Sequence, residues 1–166
     1  MLERPDSCVG CPAHDSGHAV GFVPPSGPPA PAWVVVGQGP GQQEAQYGAP
    51  FWPQAPSGRM LRGWLHESGI DERTVAFGNV VQCWLPAERM NGELGKGSRP
   101  PTLAEVKHCW RAHVGPWLYA APPSAHVLTV GAPATRWLLG LEDKAPAENL
   151  AGLTHRRPLP PLEPAP

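Results

Sequence analysis

Residues 33–41 read Trp33-Val34-Val35-Val36-Gly37-Gln38-Gly39-Pro40-Gly41, and the architecture is decided there. A short apolar run that ends in glycine is the mark of a strand buried on both faces, and the GQGPG that closes it is a sharp loop. Downstream, Ser57 reads as the N-cap of a helix with Met60, Leu61, Trp64 and Leu65 at helical spacing and Gly69 as its stop. Thr74 to Gln82 (TVAFGNVVQ) reads as a second buried strand despite its internal glycine. Thr102 and Glu105 form a capping box, and Leu103, Val106 and Trp110 continue one face of a helix that Pro116 should kink or end. His126 to Val130 makes a third strand, and a last helix carries Pro133 in its first turn, then Trp137, Leu138 and Leu139, with Gly140 closing it. This alternation predicts an α/β fold, three layers α/β/α around a central, mainly parallel sheet. Ligands of such sheets sit beyond the strand C-termini, where Gln38 to Gly41 and Cys83 fall.

Working outward, the 166 residues suit one domain, assigned to residues 1–157. Within it, residues 1–32 are a cysteine-bearing arm, polar and disordered-looking, and a Pro-rich connector. The connector, PPSGPPAP at 24–31, is too stiff to enter a sheet or helix interior. Gly (19) and Pro (24) make about a quarter of the chain, yet seven Trp and the aliphatic clusters argue for a packed body; residues 158–166 read as a disordered tail. No apolar run of about 18 residues exists and no basic segment precedes an apolar one, so neither a membrane span nor a signal peptide is expected and the chain reads as cytoplasmic. A net charge of −1 removes the simplest argument for a nucleic-acid partner, a strongly basic balance. A local surplus remains between residues 89 and 111, where Arg89, Lys96, Arg99, Lys107 and Arg111 outnumber Glu93 and Glu105. It is either a phosphate-contact surface or an ordinary solvated face.

The chain has four cysteines, Cys8, Cys11, Cys83 and Cys109. In a cytoplasmic chain, a CxxC with two distant partners points to a metal site before it points to disulfides. Four thiolates suit a structural zinc or a [4Fe–4S] cluster equally by count. The 26-residue interval between Cys83 and Cys109 departs from the paired CxxC spacing usual for zinc and tilts toward iron and sulfur. His14 and His18 are alternative zinc ligands, and unligated core thiols are the alternative for Cys83 and Cys109.

Taken in order, CVGC, VVVGQGPGQQEAQYGAPF, SGRMLRGWLHESGI, FGNVVQCWLPAER and AEVKHC resemble the iron–sulfur uracil-DNA glycosylases, family 4 of the uracil-DNA glycosylase superfamily, over about residues 8–140. The resemblance implies a [4Fe–4S] cluster on the four cysteines, held away from the chemistry. It also implies a monofunctional hydrolase of base excision repair that cleaves the N-glycosidic bond of deoxyuridine in a flipped-out pocket. Phe51, in the GxPF position, would stack on the base, and Asn79 would read its Watson–Crick edge as a catalytic residue. Gly37, Gly39 and Gly41 would bring backbone N–H groups close to uracil and to the attacking water, with Gln38 as the other catalytic residue. Arg89, Lys96 and Arg99 are the candidate DNA contacts. The implied partner is uracil-containing DNA, single-stranded or mispaired, met by a monomer away from any membrane.

The sequence departs from the family's pattern in three places. Gln38 stands where the family has Glu, and an amide cannot hold a carboxylate's charge beside a sugar cation. Glu44 matches the acidic position after the glycines; by its residue type alone it is a solvated surface carboxylate. The CxPPxNR stretch appears as CWLPAER, with Glu88 in the Asn position and an insertion after it. The family's HPS-type histidine loop has no match, and His155 in THRRPLPP lacks its context. Losing one donor to developing charge costs about 10²–10³ in rate. A catalytically degenerate or truncated homologue that binds DNA or a protein partner is therefore the alternative function.

Overall fold

The computed structural model describes residues 1–88 and 94–140. Arg89, His155, the region read as preceding a further strand and the Pro-rich tail lie outside the described residues. Along the chain come α1 (Pro12–Asp15), β1 (Trp33–Gly37), α2 (Gln42–Tyr47), α3 (Pro56–Glu67), β2 (Val75–Asn79), β3 (Pro86–Glu88), β4 (Leu94–Ser98), α4 (Leu103–Cys109), α5 (Gly115–Ala120), β5 (His126–Thr129) and α6 (Ala132–Leu138). The central sheet has the order β2-β1-β5, all parallel, and β3 and β4 form a separate antiparallel pair.

The apolar run at residues 34–36 is explained by what each face meets. Val34 and Val36 point into a cluster with Val106, Trp110, Val114, Leu118 and Leu138, whereas Val35 points the other way onto Phe51, Leu61, Leu65 and Phe77. All three valines are fully buried, each contributing about 1.5–3 kcal/mol relative to exposure. Helix α3 thus covers one face and α4 to α6 the other, which is the three-layer arrangement expected from the strand–helix alternation.

Local differences from the sequence reading have local causes. Helix α3 starts with Pro56 in its first turn and Ala55 flanking it without a side-chain cap, so the fixed φ of proline, not Ser57, sets the start. The second strand ends at Asn79 because β1 ends opposite it at Gly37, and the loop carbonyls of Gly37 and Gln38 take the Val80 and Val81 amides instead. Its internal Gly78 makes room for the Trp117 ring. Pro116 does not end its helix: Trp110–Val114 widen into a π-helical turn that absorbs it, and α5 continues. Leu103 is exposed while Val106 and Trp110 are buried. The third strand is one residue shorter than expected and its Val127 and Leu128 are exposed, so among the described residues it is an edge.

The N-terminal segments are folded onto this body. Ser26 of the proline connector exchanges both backbone hydrogen bonds with Phe77, at 2.9 and 2.7 Å, closing the outer side of β2. The stiff connector therefore does join the sheet, at its edge and through its one serine. The cysteine arm is fixed similarly, since Val20 pairs with Trp84 and the Val23 amide reaches Gln82 O at 2.7 Å.

Candidate active site and cysteine cavity

Strands β1 and β2 end side by side, with Gly37 in register with Asn79. This brings Gly37, Asn79 and Phe51 together. A methyl group on Gly37 would lie 2.5 Å from Asn79 Oδ1 and 2.7 Å from Phe51 Cζ, so glycine is required by close approach. Asn79 is 2% exposed, and its Nδ2 has no hydrogen-bond partner among the described residues. A buried, unpaired amide donor at a strand C-terminus is costly by about 1–3 kcal/mol and is where a ligand's acceptor would be satisfied. Phe51 also belongs to the core cluster on the α3 face, 6.1 Å from Phe77 between ring centroids.

The loop around this point is held by a residue whose role the sequence reading missed. Glu44 is buried, not solvated. Its carboxylate accepts from the Gly41 N–H at 2.5 Å and from the N–H groups of Phe51 and Trp52. Burial pushes this carboxyl above the usual range, against the three N–H donors that pull it down. The spacing Gly41-x-x-Glu44 carried the signal, because a Glu three residues after a helix cap is placed to turn back onto the cap. Arg62 of α3 was also missed; it donates to the Phe51 carbonyl and, through Nε, to Glu72 at 2.8 Å.

Gln38 and Gly39 line a neighbouring cleft with Pro40, Val81, Ser98 and Arg99. Gln38 is half-buried there, while its backbone carbonyl accepts from Val81 at 3.4 Å. The Arg99 guanidinium is bound to the buried Glu105 carboxylate at 2.6 and 2.9 Å. Lys96 lies on β4.

The four cysteines, all free, line one cavity together with Arg4, His14, His108 and His113. They arrive from three segments: Cys8 and Cys11 flank the turn before α1, Cys83 follows β2, and Cys109 ends α4. The Gln82 N–H donates to Cys109 Sγ at 3.2 Å, and His113 Nε2 lies 3.5 Å from Cys8 Sγ. Among the described residues, no three His, Cys, Asp or Glu side chains stand together as ligands of a single ion. Burial pushes Cys83 up to about 12, with the neighbouring Cys11 and Cys8 adding to it, and raises Cys109 and Cys8 as well. Burial thus disfavours the thiolate form at Cys8, Cys83 and Cys109.

A parallel sheet carrying a glycine loop, an unpaired asparagine amide and an aromatic ring at its strand ends agrees with what the chain matches. The uracil DNA glycosylase superfamily model covers residues 24–162, and the chain belongs to that superfamily. More narrowly, it is 39% identical over 89 residues to the Type-4 uracil-DNA glycosylase of Thermotoga maritima, a match covering 54% of this chain and 44% of that protein. The chain thus spans less than half the length of the curated relative it matches. Both matches agree with the resemblance read from the glycine–proline loop, GAPF and the cysteines. No described helix is long and apolar enough to cross a membrane.

Proposed function

We propose that this protein is a monofunctional uracil-DNA glycosylase that hydrolyses the N-glycosidic bond of deoxyuridine in single-stranded or mispaired DNA. The observation that carries the reading is the convergence of Gly37, Phe51 and Asn79, with Asn79 Nδ2 buried and unpartnered. Once the base leaves the stack, Asn79 Nδ2 donates to uracil O4 and Oδ1 accepts N3–H, a pairing that cytosine, with an amino group at C4 and no N3–H, does not satisfy. Phe51 supplies the stacking surface, worth about 1–3 kcal/mol. As the C1′–N1 bond breaks, its electron pair leaves with uracil, a water oxygen adds to C1′, and the proton that this water loses passes through solvent to the uracil anion. The N–H groups of Gln38 and Gly39 stabilise the departing charge, the Gly41 N–H being taken by Glu44, and Gln38 orients the water through its amide oxygen.

Cys8, Cys11, Cys83 and Cys109 are the residues that would hold a [4Fe–4S] cluster. A cluster several ångströms across takes sulfur ligands from around a cavity wall, which suits four thiols arriving from three segments better than one zinc ion does. When bound it supplies a structural staple and no bond-breaking step. Arg89, Lys96 and Arg99 are proposed as DNA contacts. The protein is further inferred to act as a monomer in the cytoplasm.

The test is release of free uracil from a single-stranded oligonucleotide by anaerobically purified protein, with iron and zinc quantified on the same sample. Release is expected to fall about 10²–10³-fold in Asn79→Ala. No release from folded, iron-loaded protein, or release indifferent to Asn79→Ala, overturns the reading.

A further inference from the structure

Phe51 is the one described non-glycine residue with a left-handed backbone, at φ 48°. An L residue with a bulky side chain adopts that conformation only where its surroundings hold it. Both peptide groups of Phe51 are held by charged side chains from different helices. On the amide side, Glu44 of α2 accepts the Phe51 N–H on Oε1 and the Gly41 N–H on Oε2, with the Trp52 N–H on the same carboxylate. On the carbonyl side, Arg62 of α3 donates Nη1 to Phe51 O, its guanidinium lying 5.0 Å from the Phe77 ring centroid and its Nε anchored on Glu72. Helix α3 seats against the same two peptides, since a methyl on Gly58 would lie 2.0 Å from Trp52 O.

We propose that Glu44 and Arg62 are positioning residues that lock Phe51 in its left-handed conformation and so set the height and tilt of the surface on which the flipped base stacks. This rests on the glycosylase reading given above. The same carboxylate ties Phe51 to Gly41, so one side chain fixes the position of the stacking ring relative to the glycine loop. A carboxylate is required chemically. Three N–H donors converge on two oxygens, and a Gln in this place would turn an NH₂ toward one of them. The nearest isostere therefore breaks the lock instead of preserving it.

The experiment is a double-mutant cycle in uracil release, joined to amide hydrogen exchange. Glu44→Gln is expected to lower uracil release about 10²-fold, as displacement of a reacting partner by roughly an ångström does. In a Phe51→Ala background the same change should cost less than about threefold, because its effect passes through the ring. By exchange, the Phe51 and Gly41 amides should lose protection in Glu44→Gln while those of Val35 and Phe77 in the sheet keep theirs. Should Glu44→Gln not fold, Arg62→Met takes its place in the same cycle. Equal losses in both backgrounds, or unchanged exchange at Phe51, overturn the proposal. If the wild-type protein releases no uracil, the glycosylase reading fails on that result alone, and exchange at Phe51 and Gly41 decides whether the lock exists.

Discussion

The loop beyond β1 and the cavity beyond β2 begin at adjacent strand ends, yet they are held in opposite ways. At the first, the chain satisfies itself: Glu44 and Arg62 fix the backbone of Phe51, and Gly37 lets ring and amide close in until little room remains. The polar group left over among the described residues, Asn79 Nδ2, is the one proposed to meet the substrate. At the second, four thiols from three segments surround apolar space, and among the described residues a Gln82 amide and a His113 ring nitrogen make polar contacts to sulfur. One site is preorganised by the polypeptide and the other is proposed to be completed by a cluster, so substitutions at the first should strike rate and those at the second stability.

The largest effect is expected at Gly37. A methyl there meets Asn79 Oδ1 and Phe51 Cζ at distances no carbon tolerates, and neither can retreat, the one ending a buried strand and the other packed on Phe77. Gly37→Ala should reduce uracil release by at least about 10³-fold, since it displaces a donor and the stacking surface together. Overpacking should cost only about 1–3 kcal/mol in urea denaturation. Near wild-type release would mean that the convergence of these three residues is not the site.

Next is removal of the cluster proposed for the cavity. Cys83→Ser, or chelation of the metal, should lower stability by about 3–4 kcal/mol, the linkage expected for a ligand present at some 10²–10³ times its dissociation constant. Thermal denaturation beside iron content measures this. Amide protection at Gly41 and Phe51 should be unchanged, because no hydrogen bond of that lock touches the cysteine cavity. A loss of protection there would break the comparison and make the two regions one cooperative unit.

The sequence made some of this legible and concealed the rest for physical reasons. Buried parallel strands read as continuous apolar runs, so β1 and β2 were visible, as was the Thr102–Glu105 box, whose both hydrogen bonds form. The convergence of Gly37, Phe51 and Asn79 was legible through the ordered resemblance of three loops, not through any one of them. The burial of Glu44 was not, because an acidic side chain in a glycine-rich loop is ordinarily solvated, and only the fold brings three N–H groups to meet it. Arg62 reads as the polar face of an amphipathic helix, and its contact with Phe51 O depends on a turn eleven residues away. The β3–β4 pair carries no alternating apolar pattern, and β4, LGKGS, has two glycines.

The smallest effect separates the two regions by the sign of a titration. Glu105 borders the cysteine cavity; burial raises its pKa, but the Arg99 guanidinium and the Thr102 hydrogen bonds outweigh burial and hold it below the ordinary 4.5. Its stabilising contribution is therefore complete above that value and is lost as pH falls through the lower folded one. Glu44 behaves oppositely: burial holds its pKa above 4.5, so its contribution is complete below 4.5 and is lost as pH rises through the raised folded value. Acidification from neutrality should relieve the cost of ionised Glu44 first and cost the Glu105 pair only below 4.5. Arg99→Ala strips the partner from a carboxylate whose side chain is 4% exposed, and should lower stability at pH 7 by about 1–3 kcal/mol. It should also flatten the loss of stability below 4.5 while leaving the rise at higher pH in place. Denaturation midpoints measured from pH 3 to 7 on both proteins check this, and an unchanged acid limb in Arg99→Ala would assign that limb to other carboxylates.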